Sequence, residues 1–72
     1  MRIVEITREP IELYKILKFE GLVSSGAIAK AVVADGYVKV NGVVETQKRK
    51  KISSGDIVEF DNQKLSIVLN EV

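Results

Sequence analysis

The sequence contains no cysteine and no histidine. Without cysteine no disulfide braces the fold and no thiol chemistry is available. Without histidine the usual general base is missing, the Ser-His-Asp arrangement cannot be built, and nearly all zinc sites are excluded. No apolar run approaches the ~20 residues needed to span a membrane. The stretch from Met1 to Pro10 carries two arginines and two glutamates, so it does not read as a signal peptide. With neither export signal nor cysteine, a cytoplasmic protein without membrane contact is expected. The chain has 72 residues, so a single domain over 1–72 is expected. A domain this small buries roughly 60% of its unfolded surface. Most of its core residues must hold the fold, so a deep substrate cavity is not expected and function belongs on the surface.

Charge is present in quantity and unevenly placed. From Leu13 to Ser53 there are eight basic residues and three acidic ones, whereas the two ends together hold three basic and seven acidic. A basic middle between acidic ends can meet a polyanion.

Arg2 to Ile6 reads as a short β-branched strand. Pro10 suits the first turn of a helix, with Glu9 or Thr7 as its N-cap. Ile11, Leu13, Tyr14, Ile16 and Leu17 form its apolar face, Glu12 and Lys15 pair on the other side, and Gly21 stops it. A second helix follows a sharp turn, with Ser24 as N-cap and Gly36 at its end. Its buried stripe is expected from Ile28, Ala29, Val32 and Val33. Tyr37 to Val40 alternates as a strand, Asn41-Gly42 suits a two-residue type I′ hairpin, and Val43 to Thr46 should return beside it. Gln47 to Lys51 is a polar loop, Ser54-Gly55-Asp56 a turn, and Ile57–Phe60 and Lys64–Leu69 the last strands. The expected class is α+β: a helix-turn-helix-like pair packed on a small, curved, mostly antiparallel sheet.

Leu13, Leu17, Gly21-Leu22, Ser24-Ser25-Gly26, Ala29-Lys30, Gly36, Val38-Lys39-Val40-Asn41-Gly42 and Gly55-Asp56 occur in that order. This ordered set resembles the RNA-binding domain named after small-subunit ribosomal protein S-four, which carries the alpha-L motif. It covers about two thirds of the chain. Length, the Ser-Ser-Gly triplet and the basic run are most similar to short stand-alone bacterial members of the YaaA-like or YbcJ-like type. Two positions depart from the family pattern: Glu12 stands where many members have arginine, and Gly26 where larger members often have a base. Both remove positive charge from the helical part of the expected RNA face and shift the work toward Lys48 to Lys51.

Each candidate has a plain reading beside the functional one. Lys48-Arg49-Lys50-Lys51 is either a solvated loop that protects a sheet edge or a set of phosphate contacts that release counterions. Ser24 and Ser25 either cap a helix or, with the free N–H groups there, seat a phosphate. Lys30 is an exposed lysine that the resemblance places at an RNA-contact position. Lys39 shares a strand face with Tyr37, whose ring either covers the sheet edge or stacks on a base; the plain reading is preferred for Tyr37 and the functional one for Lys39. Asn41 and Gly42 read as turn-makers. A Ser25–Lys30 catalytic pair lacks any sign of a desolvated lysine or oxyanion pocket, and the carboxylates Glu45, Asp56, Glu59 and Asp61 have no metal-loop spacing. No enzyme activity, cofactor or metal is expected. The resemblance implies a protein that binds structured RNA, ribosomal or transfer, through phosphates and shape, in association with the ribosome or a ribonucleoprotein. The alternative is a protein-interaction module whose basic loop meets an acidic partner. Residues alone, without the family, do not separate RNA from DNA.

Overall fold

Short alternating apolar runs broken by glycine and asparagine make short strands joined by tight turns. The computed structural model describes residues 1–70. In chain order it contains β1 (Arg2–Ile6), β2 (Ile11–Glu12), α1 (Leu13–Phe19), α2 (Gly26–Ala34), β3 (Val38–Val40), β4 (Val43–Val44), β5 (Lys51–Ile52), β6 (Ile57–Phe60) and β7 (Gln63–Leu69). Five strands form one sheet in the order β1-β7-β6-β3-β4, and β2 pairs with β5 in a second, two-stranded sheet. β1 runs parallel to β7, with Arg2 opposite Leu65 and Ile6 opposite Leu69. The other pairs are antiparallel. Two helices on a mostly antiparallel sheet is the architecture the sequence implies.

The core is assembled from alternate strand residues and one stripe of each helix. Val4 and Ile6 of β1, Val38 and Val40 of β3, Ile52, Val58, and Leu65 and Ile67 of β7 meet Leu13, Ile16 and Leu17 of α1 and Ala29 and Val33 of α2. Each large side chain buried here contributes roughly 1.5–3 kcal/mol. Among the described residues no polar or charged side chain is buried, so the interior offers no group for chemistry.

The helices end alike. Gly21 (φ 71°) and Gly36 (φ 84°) take the left-handed conformation. In α1 the Leu22 N–H donates to Leu17 O and the Gly21 N–H to Lys18 O; in α2 the Tyr37 N–H donates to Val32 O and the Gly36 N–H to Val33 O. Both are Schellman motifs. The Asn41-Gly42 hairpin has positive φ at both residues, 52° and 84°, as a type I′ turn requires. Asp61-Asn62 (φ 53° and 60°) turns between β6 and β7 in the same way without a glycine.

Several expectations need correction. α1 starts at Leu13 rather than near Pro10, because Ile11 and Glu12 are taken up in pairing with Ile52 and Lys51. Neither Glu9 nor Thr7 caps it. Its first N–H groups are satisfied from far along the chain, Leu13 donating to Lys50 O (2.9 Å) and Tyr14 to Lys48 O (3.1 Å), while the Glu9 carboxylate accepts from the Ser54 N–H at 2.7 Å. The cap of α2 is Ser25, not Ser24: Ser25 Oγ accepts from the Ile28 N–H at 3.1 Å. Ala29 and Val33, four apart, then face inward, and Ile28 is left 45% exposed. β3 starts at Val38, leaving Tyr37 ahead of it, and β4 stops at Val44. The Glu45 carboxylate accepts from the Gln47 N–H at 3.0 Å and turns the chain toward the basic segment. Lys51 lies in β5 rather than in the loop.

Candidate nucleic-acid interface

The N-terminus of α1 and the basic segment are built as one unit. The turn closed by the Lys50 N–H on Gln47 O (3.0 Å) aims the carbonyls of Lys48 and Lys50 at α1. Its side chains therefore leave the surface beside Glu12, Tyr14 and Lys15. Arg49 Nη1 donates to Glu12 Oε2 at 2.9 Å, and Lys15 Nζ lies 3.7 Å from Glu12 Oε1. Arg49 is held even more firmly protonated than usual, first by this hydrogen bond and then by the Coulomb attraction of the same carboxylate.

Tyr14 is the centre of the arrangement. Arg49 lies 5.4 Å from its ring centroid, and Lys30 Nζ reaches the same ring from α2 at 4.8 Å. Both distances are within cation–π range. Gly26 opens α2 against the same ring: a Cβ at that position would stand 3.9 Å from Tyr14 Cε2 and 4.0 Å from Lys18 Cδ. A half-buried tyrosine thus gathers Lys30 and Arg49, with Lys18 and the start of α2 next to it.

The expected site residues fall into three places. Lys30 and Arg49 meet at the Tyr14 ring, while Ser25, the residue before Gly26, has its Oγ engaged as the cap of α2. Lys48, Lys50 and Lys51 are exposed on the adjoining turn and on β5, and Ser24 is exposed in the α1–α2 turn. Lys39 lies elsewhere: it is opposite Glu59 and Val44 in the sheet. It lines a shallow groove with Tyr37, Glu59, Phe60, Asp61 and Asn62.

Tyr14 and Lys18 were not anticipated as members of the surface. The signal was there, since an amphipathic tyrosine four residues before a lysine on a short helix presents a polar tip beside that lysine. Asn41 does more than turn the chain. Its Oδ1 accepts from the Ile57 N–H (2.8 Å), and its Nδ2 donates to Asp56 Oδ1 (3.1 Å). Asp56 Oδ2 in turn accepts from the Ser53 N–H at 2.9 Å. The Val-Asn-Gly and Gly-Asp pieces of the sequence are therefore physically clipped together.

The surface offers grouped cations, an aromatic ring and the start of a helix, which together suit an anionic polymer. Among the described residues no group of His, Cys, Asp or Glu could hold a metal ion, and no helix is long and apolar enough to cross a membrane.

Comparison with known proteins gives a consistent result. The S4 domain family model matches residues 4–68. YbcJ of Escherichia coli (strain K12), named as a candidate RNA-binding protein, is 48% identical over 58 residues, covering 81% of this chain and 83% of the relative. YbcJ of Shigella flexneri, named as uncharacterized, matches with the same identity and coverage. Among solved structures, the solution structure of E. coli YbcJ is described as revealing an alpha-L motif involved in RNA binding. It is similar with a TM-score of 0.72 and 43% identity over 94% of this chain and 87% of that one.

Proposed function

Since this chain belongs to the S4 domain family, we propose that it is an RNA-binding protein whose contact surface is the basic cluster around Tyr14. It is a non-enzymatic protein, in keeping with its family and its relatives. The observation that carries the reading is the convergence of Lys30 and Arg49 on one ring from two separate elements. The exposed Lys48, Lys50 and Lys51 extend the same positive surface. Lysines and an arginine spaced in this way follow a phosphate backbone and carry little base information. A duplex RNA is read through shape and phosphates, because its deep major groove is closed to side chains. The partner in this reading is a structured RNA, of ribosomal or transfer type, met in the cytoplasm on the ribosome or another ribonucleoprotein. Ser24, Ser25 and the start of α2 seat one phosphate in this reading, whereas Lys39, opposite Glu59 in the sheet, stands apart from it.

The test is fluorescence anisotropy of an RNA stem–loop titrated with the full chain across a salt series. Binding that weakens steeply with salt is expected; salt-independent binding, or none, would refute it. Nuclease treatment of the purified protein separates this from an acidic protein partner on the same loop, since only bound RNA is lost. Co-sedimentation with ribosomal particles in a gradient tests the ribosomal assignment.

A further inference from the structure

Phe19 is the last residue of α1 and is 66% exposed, although it is a large apolar ring. It stands over a shallow groove of about 280 Å³ lined by Arg8, Pro10, Ile11, Glu12, Lys15 and Phe19. That is slightly below the range of small-molecule pockets, roughly 300–1,000 Å³, and suits a single ring system better than a whole ligand. Arg8 makes no ion pair among the described residues. The groove is linked to the Tyr14 cluster through Glu12 on its wall, which is bonded to Arg49 and also pairs with Lys15. Glu12 is thus flanked by two cations and does not leave the groove negative. Tyr37, 68% exposed, is the competing aromatic, but its groove carries Glu59 and Asp61 against Lys39 alone. Those carboxylates repel a phosphate backbone.

We propose that the Phe19 groove is a second RNA subsite that takes one unpaired nucleobase stacked on the Phe19 ring, with the flanking phosphates on Arg8 and Lys15. The inference rests on the RNA-binding reading above and narrows it. The preferred RNA has a single-stranded nucleotide next to the helical part held by the Tyr14 cluster. Every base has a π-face, so the subsite reads strandedness rather than sequence.

The experiment compares two RNAs at one salt concentration: a blunt-ended stem–loop, and the same stem–loop with an unpaired 3′ tail of adenosines. The full chain and its Phe19→Leu variant are titrated with each. Leucine keeps an apolar contact at the position and removes the stacking surface. Wild type is expected to favour the tailed RNA by about five- to 160-fold, the range of one stacked base. Phe19→Leu is expected to lose most of that preference, keeping only what the tail phosphates on Arg8 and Lys15 supply, while binding the blunt RNA as wild type does, and the Phe19 ring resonances should move only with the tailed RNA. Equal affinity of wild type for both RNAs overturns the subsite. So does a preference that survives Phe19→Leu undiminished, which would report added phosphates alone. Failure of wild type to bind either RNA refutes the RNA-binding reading itself, and the subsite falls with it.

Discussion

Replacing Lys48, Arg49 and Lys50 together by alanine separates the two roles of the basic turn. Its backbone holds α1 through the carbonyls of Lys48 and Lys50, which accept from Tyr14 and Leu13. Alanine keeps both carbonyls, so the helix cap survives. The substitution removes three exposed cations, the Arg49–Glu12 pair and the Arg49 contact with the Tyr14 ring. Exposed pairs contribute little to stability, and Glu12 retains Lys15 at 3.7 Å. The circular dichroism spectrum and melting midpoint are therefore expected to stay close to wild type. RNA binding should change greatly. With about 0.9 counterions released per phosphate contact, three lost contacts lower the slope of log affinity against log salt by about 2.7. Between about 50 and 200 mM salt, the wild-type affinity should then fall about fortyfold more than that of the variant. Anisotropy with a stem–loop RNA at three or four salt concentrations measures both slopes. Parallel slopes would refute the assignment of the turn to phosphate contact, and a variant that unfolds would refute the argument that its backbone alone supports α1.

Further outcomes follow from single residues. Gly42→Val should destabilise the chain by roughly 2 kcal/mol or more through backbone strain, since φ is 84° and a Cβ there meets nothing within 4 Å; an unchanged melting curve would contradict the type I′ turn. Asn41→Ala removes the carboxamide that joins Ile57 and Asp56 and puts alanine at φ 52°. A loss of about 2–3 kcal/mol is expected, read as a fall in melting temperature of roughly 10–20 °C. Glu12→Gln deletes the one carboxylate that engages both Arg49 and Lys15. It should raise RNA affinity by removing a carboxylate that competes with the phosphates for both cations; weaker binding would instead make Glu12 a positioning residue for Arg49.

Local chemistry made much of the fold legible. Asn41-Gly42 demanded a hairpin, Gly21 and Gly36 stopped helices, and Leu13, Ile16, Leu17, Ala29 and Val33 kept helical spacing; all hold in the structure. What was not legible depends on residues distant in sequence. The start of α1 is set by Lys48 and Lys50 and by the pairing of Ile11 with Ile52, so Pro10 alone misplaced it. Ser24 and Ser25 are equivalent as caps until packing fixes which face of α2 turns inward, and the one-residue shift put Ile28 outside. Tyr14 read only as part of an apolar face, because Lys30 and Arg49 reach it from α2 and from the loop. Strand alternation put Lys39 on one face with Tyr37, and its charge grouped it with the other bases, whereas the sheet places it across from Glu59.

The central claim, that RNA meets this protein at the Tyr14 cluster, is tested most directly by mapping amide chemical shifts of the isotope-labelled full chain as a stem–loop RNA is added. The account predicts that the largest changes fall on Tyr14, Ser25, Gly26, Lys30 and Lys48 to Lys51, and that they reverse at high salt. Changes confined to the exposed β4 edge at Val43 and Val44, or no changes at all, would contradict it.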